Sequence, residues 1–427
     1  MKRFVIPFVV LFSYVSHAQN SVLDTLRLKR NDAEILLLQN NLGLLAEKLN
    51  IDIAQAQIIQ AKVWPNPTLS VNEFNLWSNA TSEQLPVLWG NYGRNQEFGA
   101  SIEQLLYTAG KRKKMIAIEK VGAAMAEEYY KNVLRNLKTE FRNNLSLLQF
   151  NQSKKAIYQN QLEAVSNLIR AYSKQMQLGT ISQAEFIRLK ATELSFLNEI
   201  STIEIDQNAL QNEMRKLLQL PAYTYIEIVG NGLVPDLESI KKFDLQKSVE
   251  QLVQNRPDVQ LASLNTQYHS KKLDYEKALR TPDVTVEASY DRGGNIMNNF
   301  VGFGFSIDLP FFDRNKGNIS AAKWAVDQSK LNNEAQINSA KSEIIMAYQN
   351  FEIVKKRYEN VDENYEENLD QILASYYTNF QKRNISLLIY LDFVEAYLNN
   401  KTILLETKKE LNDRLEMLKN VSGQELN

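Results

Sequence analysis

The chain has 427 residues, of which 49 are Lys or Arg and 50 are Asp or Glu, so its formal net charge is −1. This even balance gives no excess of positive charge that would predict nucleic acid as a partner. The chain contains no cysteine, which excludes a disulfide framework, a thiolate nucleophile, a cysteine-ligated metal and a lipid anchor on an N-terminal cysteine.

The first 18 residues have the pattern of a secretory signal peptide. The basic pair Lys2 and Arg3 precedes an apolar run over residues 4–15, and Ser16 and Ala18 place small residues at the −3 and −1 positions of a cleavage site. The apolar run is shorter than the ~20 residues that a membrane-spanning helix requires. We therefore expect residues 1–18 to direct export and to be removed.

Catalytic motifs are not found in the remainder of the sequence. After cleavage of the signal one histidine, His269, remains, and it lies in a helical pattern. We find no serine triad, HExxH motif, phosphate-binding glycine loop or EF-hand pattern. The sequence therefore predicts a protein that is not an enzyme and that needs no cofactor or metal.

Within residues 19–220 the pattern predicts helix from Leu23 to Lys62, and then two strands over about 67–77 and 96–107. In the second strand Phe98, Ala100 and Ile102 alternate with polar residues. This period of two places one face of a strand in an apolar medium and the other in water. Two soluble hairpins capping a helical bundle would share the pattern.

Tryptophan and basic residues lie at the ends of these strands. Trp64 and Trp77 lie at the two ends of the first strand, where an aromatic girdle at the level of lipid headgroups would place them. The second strand is followed by a basic run of Lys111, Arg112, Lys113 and Lys114. Because positive charge at a helix start opposes the helix dipole, we expect these side chains to contact anionic headgroups or the membrane interface. A solvated patch is the alternative.

A very long helix is expected after the basic run. Proline is absent from residues 87–220, and the apolar spacing predicts a helix over about 112–178, a turn at 179–182 and a returning helix at 183–219. Gly179 can adopt the left-handed conformation that ends a helix, and Thr180 or Ser182 can cap the next one. At about 1.5 Å per residue the first helix would extend on the order of 100 Å, which no globular core needs.

The linker at 221–243 has a mixed pattern. Tyr223, Tyr225, Ile226 and Ile228 predict a small strand or a loop packed on the outside of a helical bundle.

Residues 244–427 repeat the plan of the first half. After a helix, strands are expected over about 283–291 and 299–309, and Val284, Val286, Ala288 and Tyr290 show the alternation clearly. A coiled-coil seam then predicts a long helix over about 314–380, a turn at 382–386 and a helix over 387–419.

The two halves are an internal duplication. Ile181-Ser182 corresponds to Ile385-Ser386, and Gln104-Leu105 corresponds to Asp308-Leu309, each pair being 204 residues apart. Four strands are too few to close a sheet, and a membrane does not tolerate open sheet edges. Strands from other copies are therefore expected, in a dimer, a trimer or a larger ring.

The sequence resembles the TolC-like outer-membrane efflux family over essentially the whole mature chain. Five segments carry the resemblance: AKVWPNP at 61–67, YTAGKR at 107–112, LGTIS at 178–182, NRPDV at 255–259 and IDLPFF at 307–312. Their order and the duplicated spacing are the specific signal. Residues 64–75 and 107–112 are most similar to the branch associated with heavy-metal cation efflux.

The resemblance implies a mainly α fold with membrane β structure. In this family three copies form a homotrimer, each gives four strands to a 12-stranded β-barrel, and the long helices form a hollow periplasmic tunnel. It further implies contact with outer-membrane lipid, a periplasmic adaptor (a membrane fusion protein) and an inner-membrane pump of the RND type. The expected location is the outer membrane of a Gram-negative bacterium, extending into the periplasm.

The expected function is a passive export duct for small molecules or metal cations. A type I secretion channel for polypeptides and a periplasmic coiled-coil scaffold without a pore are the alternatives. The scaffold would leave the alternating strands and the tryptophans unexplained.

Site residues can be carried over from the family by position. The resemblance places the adaptor-docking tips at the two helix turns, and it places a periplasmic gate at acidic residues just inside the returning helices, Glu185 and Asp392. An outward acid on a solvated face is the alternative for each. The second turn has arginine where the first has glycine. The docking residues are Leu178, Gly179, Thr180, Ser182, Arg383, Asn384 and Ser386.

Overall fold

A computed structural model describes residues 24–75, 97–179, 181–230, 233, 245–293, 297–362 and 364–423. The expected signal peptide at 1–18, Trp77, Thr180 and much of the linker at 221–243 lie outside these residues. Within the described ranges, none of the helices combines the length and apolar character needed to cross a membrane.

The described residues are mainly helical, as expected, and form six strands and nine helices. In chain order these are β1 (Asp24–Leu28), α1 (Arg30–Asn40), α2 (Leu42–Lys62), β2 (Thr68–Asn75), β3 (Glu97–Leu106), α3 (Lys111–Gln177), α4 (Gln183–Leu218), β4 (Thr224–Ile228), α5 (Leu245–Asn255), α6 (Pro257–Ala278), β5 (Val284–Gly293), β6 (Met297–Ile307), α7 (Lys316–Glu359), α8 (Tyr365–Gln381) and α9 (Leu387–Ser422).

One compact unit comprises the described residues within 1–40 and 147–232. In it, β1 pairs in parallel with β4, from Asp24 opposite Thr224 to Leu28 opposite Ile228. The side chain of Gln211 on α4 donates to the backbone oxygen of Ile226 at 2.6 Å and accepts from its N–H at 2.9 Å. These two hydrogen bonds connect the short sheet to α4 and satisfy both buried backbone groups of Ile226.

The second unit comprises the described residues within 41–146 and 233–427. Its core lies where α7 packs against α9 and α5. Along α7 the buried residues follow the spacing of three and four that the sequence showed, which is typical of helix pairs packed along a seam. The buried cluster contains Leu252, Val253, Val259, Ala340, Ile344, Ala347, Phe351, Val354, Leu411, Leu415, Leu418 and Val421.

The helix expected over about 314–380 is two helices in the structure. α7 ends at Glu359 and α8 begins at Tyr365. Between them, the side chain of Asp362 accepts a hydrogen bond from the backbone N–H of Asn364 at 2.8 Å. Short polar side chains that bond the nearby backbone compete with the helical hydrogen bonds. The apolar seam continues across this segment although the helix does not.

The other long helices lie close to their expected bounds. α3 runs without a break from Lys111 to Gln177, α4 from Gln183 to Leu218 and α9 from Leu387 to Ser422. Helix was expected from residue 23 onward, but residues 24–28 form strand β1. The reason is its pairing with β4, whose sequence lies about 200 residues away.

Candidate functional site

The four longer strands form a single antiparallel sheet in the order β2-β3-β5-β6. These strands have 8, 10, 10 and 11 residues, near the 9–11 residues with which a tilted strand crosses a bilayer. Among the described residues β2 and β6 each have a strand neighbour on one side only. The sheet therefore has two open edges, each with a row of unpaired backbone donors and acceptors.

One face of this sheet is apolar. The register aligns Leu69, Ile102, Ala288 and Phe303 in one row across all four strands. Phe303 is 86% exposed, although a monomeric soluble protein rarely leaves a contiguous apolar face in water. Apolar side chains on this face are Leu69, Val71, Phe98, Ala100, Ile102, Leu106, Val284, Val286, Ala288, Tyr290, Val301, Phe303, Phe305 and Ile307, and the polar Gln104 lies among them.

The opposite face is mostly polar. A central row aligns Ser70, Ser101, Ser289 and Gly302, and in the next row Glu103 lies directly opposite Glu287. A Cβ at Gly302 would lie 2.8 Å from the Ser289 hydroxyl oxygen, so the sequence uses glycine where the strands approach closely. A sheet with one apolar face, one hydrated face and two open edges suits the boundary between lipid and a water-filled space.

The basic run after β3 is held by local contacts instead of forming an open patch. Lys111 is buried, and its Nζ lies 2.8 Å from the Asp283 carboxylate just before β5. Because this ion pair turns Lys111 inward, it does not reach outward as the sequence suggested. Lys114 Nζ donates to the backbone oxygen of Ala109 at 2.8 Å. Lys113 is exposed.

Arg112 joins the ends of α2 and α3. Its guanidinium lies 4.3 Å from the centroid of the Trp64 ring, and Nη1 donates to the Lys62 backbone oxygen at 2.8 Å. Stacking of a guanidinium on an indole ring is favourable by ~0.5–1 kcal/mol at exposed sites. Trp64 remains 47% exposed, so one side of the ring is available to the surroundings.

The first helix turn combines an exposed apolar residue with tight local capping. Leu178 is 77% exposed and Gly179 has φ of 70°, the left-handed conformation expected of it. Ser182 Oγ accepts from the Glu185 N–H at 3.2 Å, and the Glu185 carboxylate accepts from the Ser182 N–H at 3.3 Å. This reciprocal capping box starts α4.

The second turn repeats this geometry with different residues. Arg383 has φ of 60°, so it takes the left-handed conformation that Gly179 has in the first turn. The backbone N–H of Asn384 donates to the Asn379 backbone oxygen at 2.9 Å. Ser386 Oγ accepts from the Ile389 N–H at 3.3 Å and caps α9. The duplicated turn is thus preserved in conformation where its glycine is absent.

Stacked aromatic rings lie behind the second turn. Phe380 and Tyr390 have centroids 5.0 Å apart, and Tyr376 and Phe393 have centroids 4.2 Å apart. Burial raises the pKa of Tyr390 to about 12. These contacts pack the last turns of α8 against the first turns of α9.

The two acids expected at a gate lie in different local settings. Glu185 is exposed, and its carboxylate is already engaged at the start of α4. Asp392 is exposed on α9 and has no hydrogen-bond partner among the described residues. Leu388 and Ile389, one turn earlier on α9, are also exposed. Asp392 is therefore free to face another copy or a water-filled space.

An ion-pair network between α8 and α9 was not found by sequence reasoning. Lys401 is buried, and its Nζ lies 3.3 Å from the Glu366 carboxylate and 2.9 Å from that of Asp370. Lys408 pairs with Glu366 at 2.6 Å, and the Tyr397 hydroxyl donates to Asp370 at 2.9 Å. Glu366 and Asp370 lie four residues apart on one helix face, which is the signal that could have indicated it.

Burial and ion pairing shift the pKa values of two groups in this network, Glu366 and Tyr397. Burial opposes ionisation of Glu366, but the hydrogen bonds and charges of Lys408 and Lys401 hold its pKa below the usual range. Burial, together with the neighbouring Asp370, raises the pKa of Tyr397. Within the described parts of the chain no group of three or more potential metal-ligating side chains occurs.

Comparisons with known proteins agree with this geometry. The model of the family described as "Outer membrane efflux protein" matches residues 36–219 and 248–424. "Toxin and drug export protein A" of Aggregatibacter actinomycetemcomitans is 23% identical over 52% of this chain and 48% of its own length. "Cobalt-zinc-cadmium resistance protein CzcC" of Cupriavidus metallidurans is 20% identical over 68% of this chain and 65% of its own length. The matched regions thus span about half to two thirds of these relatives.

A solved structure shows the same fold. The CmeC outer membrane channel of Campylobacter jejuni superposes with a TM-score of 0.74 at 15% identity, and the match covers 92% of this chain and 85% of that one.

Proposed function

Since the chain belongs to the outer membrane efflux protein family, we propose that it is the outer-membrane duct of a tripartite efflux system and passively exports small molecules or metal cations. The family and the fold are those of channels, and this chain performs no chemistry of its own. The observation that carries the proposal is the four-stranded sheet with an apolar face, a polar face and two open edges.

Open edges require further copies of the chain in the membrane. Each unpaired backbone group in hydrocarbon costs several kcal/mol, so β6 of one protomer pairs with β2 of the next. Outer-membrane efflux proteins of tripartite systems are homotrimers, and three copies of four strands close a 12-stranded barrel. The apolar face then contacts lipid and the polar face lines the duct.

The partners are a periplasmic adaptor and an inner-membrane pump of the RND type. The two capped turns are the docking tips, with Leu178, Gly179 and Ser182 in the first and Arg383, Asn384 and Ser386 in the second. Support comes from the exposure of Leu178 and from the equal left-handed conformation of Gly179 and Arg383. A rigid turn presents its side chains to a partner without a large ordering cost.

A ring of three acidic side chains forms the constriction of the duct. Of the two candidates, the local geometry favours Asp392, because Glu185 already accepts hydrogen bonds from its own capping residue. Three carboxylates close together in a narrow passage attract cations and repel anions.

The names of the two relatives support two kinds of exported substrate. The relative named for cobalt, zinc and cadmium resistance supports metal cations, and the polar sheet face with Glu103 and Glu287 suits their passage. The relative named for toxin and drug export supports drugs or, as the second candidate function, polypeptides.

Fractionation with chemical crosslinking tests the proposal. The protein should be recovered in the outer-membrane fraction as a trimer, and a deletion strain should become sensitive to zinc, copper or detergents. A soluble monomer would contradict the duct. Loss of a secreted polypeptide from the medium, with unchanged metal and detergent sensitivity, would favour the polypeptide channel.

A further inference from the structure

A cationic cavity lies in the second unit, beside the start of α6 and the end of α9. It has a volume of about 470 Å³, and α3 contributes Lys131, Arg135, Lys138 and Arg142 to its wall. These residues recur every three or four positions, so they share one face of the helix. Lys419 on α9 adds a fifth cation.

Arg135 is the least satisfied of these side chains. Its Nη2 donates to Asn132 Oδ1 at 2.8 Å and lies 3.6 Å from Asp258 Oδ2. Its Nε and Nη1 are buried and have no hydrogen-bond partner among the described residues. Burial lowers the pKa of Arg135, and the charge of Asp258 only partly offsets this. Buried donors without acceptors are rare and costly, so an absent acceptor is the physical explanation.

The neighbouring carboxylates are already used. Asp258 accepts from Arg256 through both of its oxygens, at 3.0 and 2.6 Å, and Glu343 accepts from Arg256 at 2.7 Å. Arg256 is buried and also donates to the backbone oxygen of Val421 at 3.3 Å. Little negative charge is therefore left for Arg135.

The charge count around the cavity is positive. Glu128 pairs with Lys131 at 2.6 Å, and Glu416 pairs with Arg142 at 2.9 Å. Among the described residues that line the cavity, five are cationic and one, Glu128, is acidic.

We propose that this cavity binds a small, multiply charged oxyanion, of the class of inorganic phosphate or a di- or tricarboxylate. An oxyanion supplies acceptors for Nε and Nη1 of Arg135, in the planar geometry that guanidinium groups favour. The volume falls in the range of small-molecule sites. Bound there, the anion joins α3 to the end of α9. This site is separate from export and stands or falls independently of the duct.

Titration of the purified full-length protein in detergent tests the site. Phosphate and citrate are added at constant ionic strength against a chloride background, and binding is followed by calorimetry and by the thermal unfolding midpoint. We expect saturable binding of one anion per protomer. Arg135→Gln should weaken it about 10- to 100-fold, since hydrogen bonds between charged groups are lost.

Two further variants separate binding from folding. Lys131→Gln alters a side chain at the exposed rim of the cavity and should weaken binding several-fold without loss of fold. Arg170→Gln is the matched control, because Arg170 lies exposed on the same helix and donates to Asn167, three residues before it. It should bind like the wild type.

Three results would overturn the site. The first is an anion effect that follows ionic strength alone. The second is equal binding by wild type, Arg135→Gln and Lys131→Gln. The third is Arg135-dependent binding of a glutamate-rich peptide without binding of phosphate or citrate, which would assign the cavity to a polypeptide partner.

Discussion

Replacement of Lys401 by methionine should loosen α8 from α9. Lys401 Nζ lies 3.3 Å from Glu366 and 2.9 Å from Asp370 and is buried, so the variant removes two charged contacts while keeping the apolar stem of the side chain. A hydrogen bond between charged groups contributes ~1.5–3 kcal/mol. Because Glu366 and Asp370 are about half exposed and can be rehydrated, we expect a loss of about 1–2 kcal/mol.

Hydrogen exchange measures this loss in α8 itself. A weakening of about 1–2 kcal/mol speeds exchange through local opening roughly 5- to 30-fold. Peptides covering residues 365–381 should therefore exchange faster in Lys401→Met, whereas peptides from α3 should not change. Lys330→Met is the control, because in the part of the chain that the structure describes Lys330 contacts only Asp327, at an exposed position within α7. Unchanged exchange in α8 would refute the role assigned to the network.

Four further substitutions test the gate, the helix turns and the base of the strands. Asp392→Asn should reduce cation preference in single-channel recordings, whereas Glu185→Ala should mainly lower thermal stability, by about 0.5–1 kcal/mol, because alanine cannot accept the hydrogen bond from the Ser182 N–H; unchanged currents in both variants would remove the gate assignment. Arg383→Gly removes the steric strain of a non-glycine residue in the left-handed conformation. The free energy of unfolding, measured with denaturant, should rise by up to about 1 kcal/mol; a lower value would show that Arg383 is not strained. Lys111→Met removes the cation from the Asp283 carboxylate, which keeps the hydrogen bond from the Thr108 N–H at 2.8 Å, and should cost about 1.5–3 kcal/mol in the same assay; a neutral result would show that the pair is not structural.

Local periodicity made much of the fold predictable. The period of two in strands such as residues 284–290, and the spacing of three and four along α7, depend only on near neighbours in sequence. The duplicated turns were also predictable, because helix capping and the left-handed conformation depend on residues within a few positions of the turn. These signals were enough for the mainly helical fold with four longer strands.

Features that depend on distant partners were not predictable. Strand β1 exists because β4 pairs with it, and Lys111 turns inward because Asp283 accepts it. The break between α7 and α8 was hidden because the apolar seam continues across it, while Asp362 bonds the backbone of Asn364. The ion pairs of Lys401 likewise cross from one helix to another.

Pairing of β6 with β2 of another protomer is the central claim, and disulfide trapping tests it most directly. The chain has no cysteine, so every disulfide between chains must come from the introduced cysteines. Cysteine at Thr68, Ser70 or Asn72 on the polar face of β2 is combined in turn with cysteine at Ser306 on β6. At least one combination should give dimers and trimers of linked chains in intact outer membranes on oxidation.

The matched control joins Ser70 to Ser289, which lies on the inner strand β5 of the same polar face. It should give no link between chains, because β3 and β5 are already paired on both sides within one protomer. Trimers linked only through the β2 and β6 positions are the result we predict. Monomers in every combination, or equal linking through Ser289, would contradict the shared sheet.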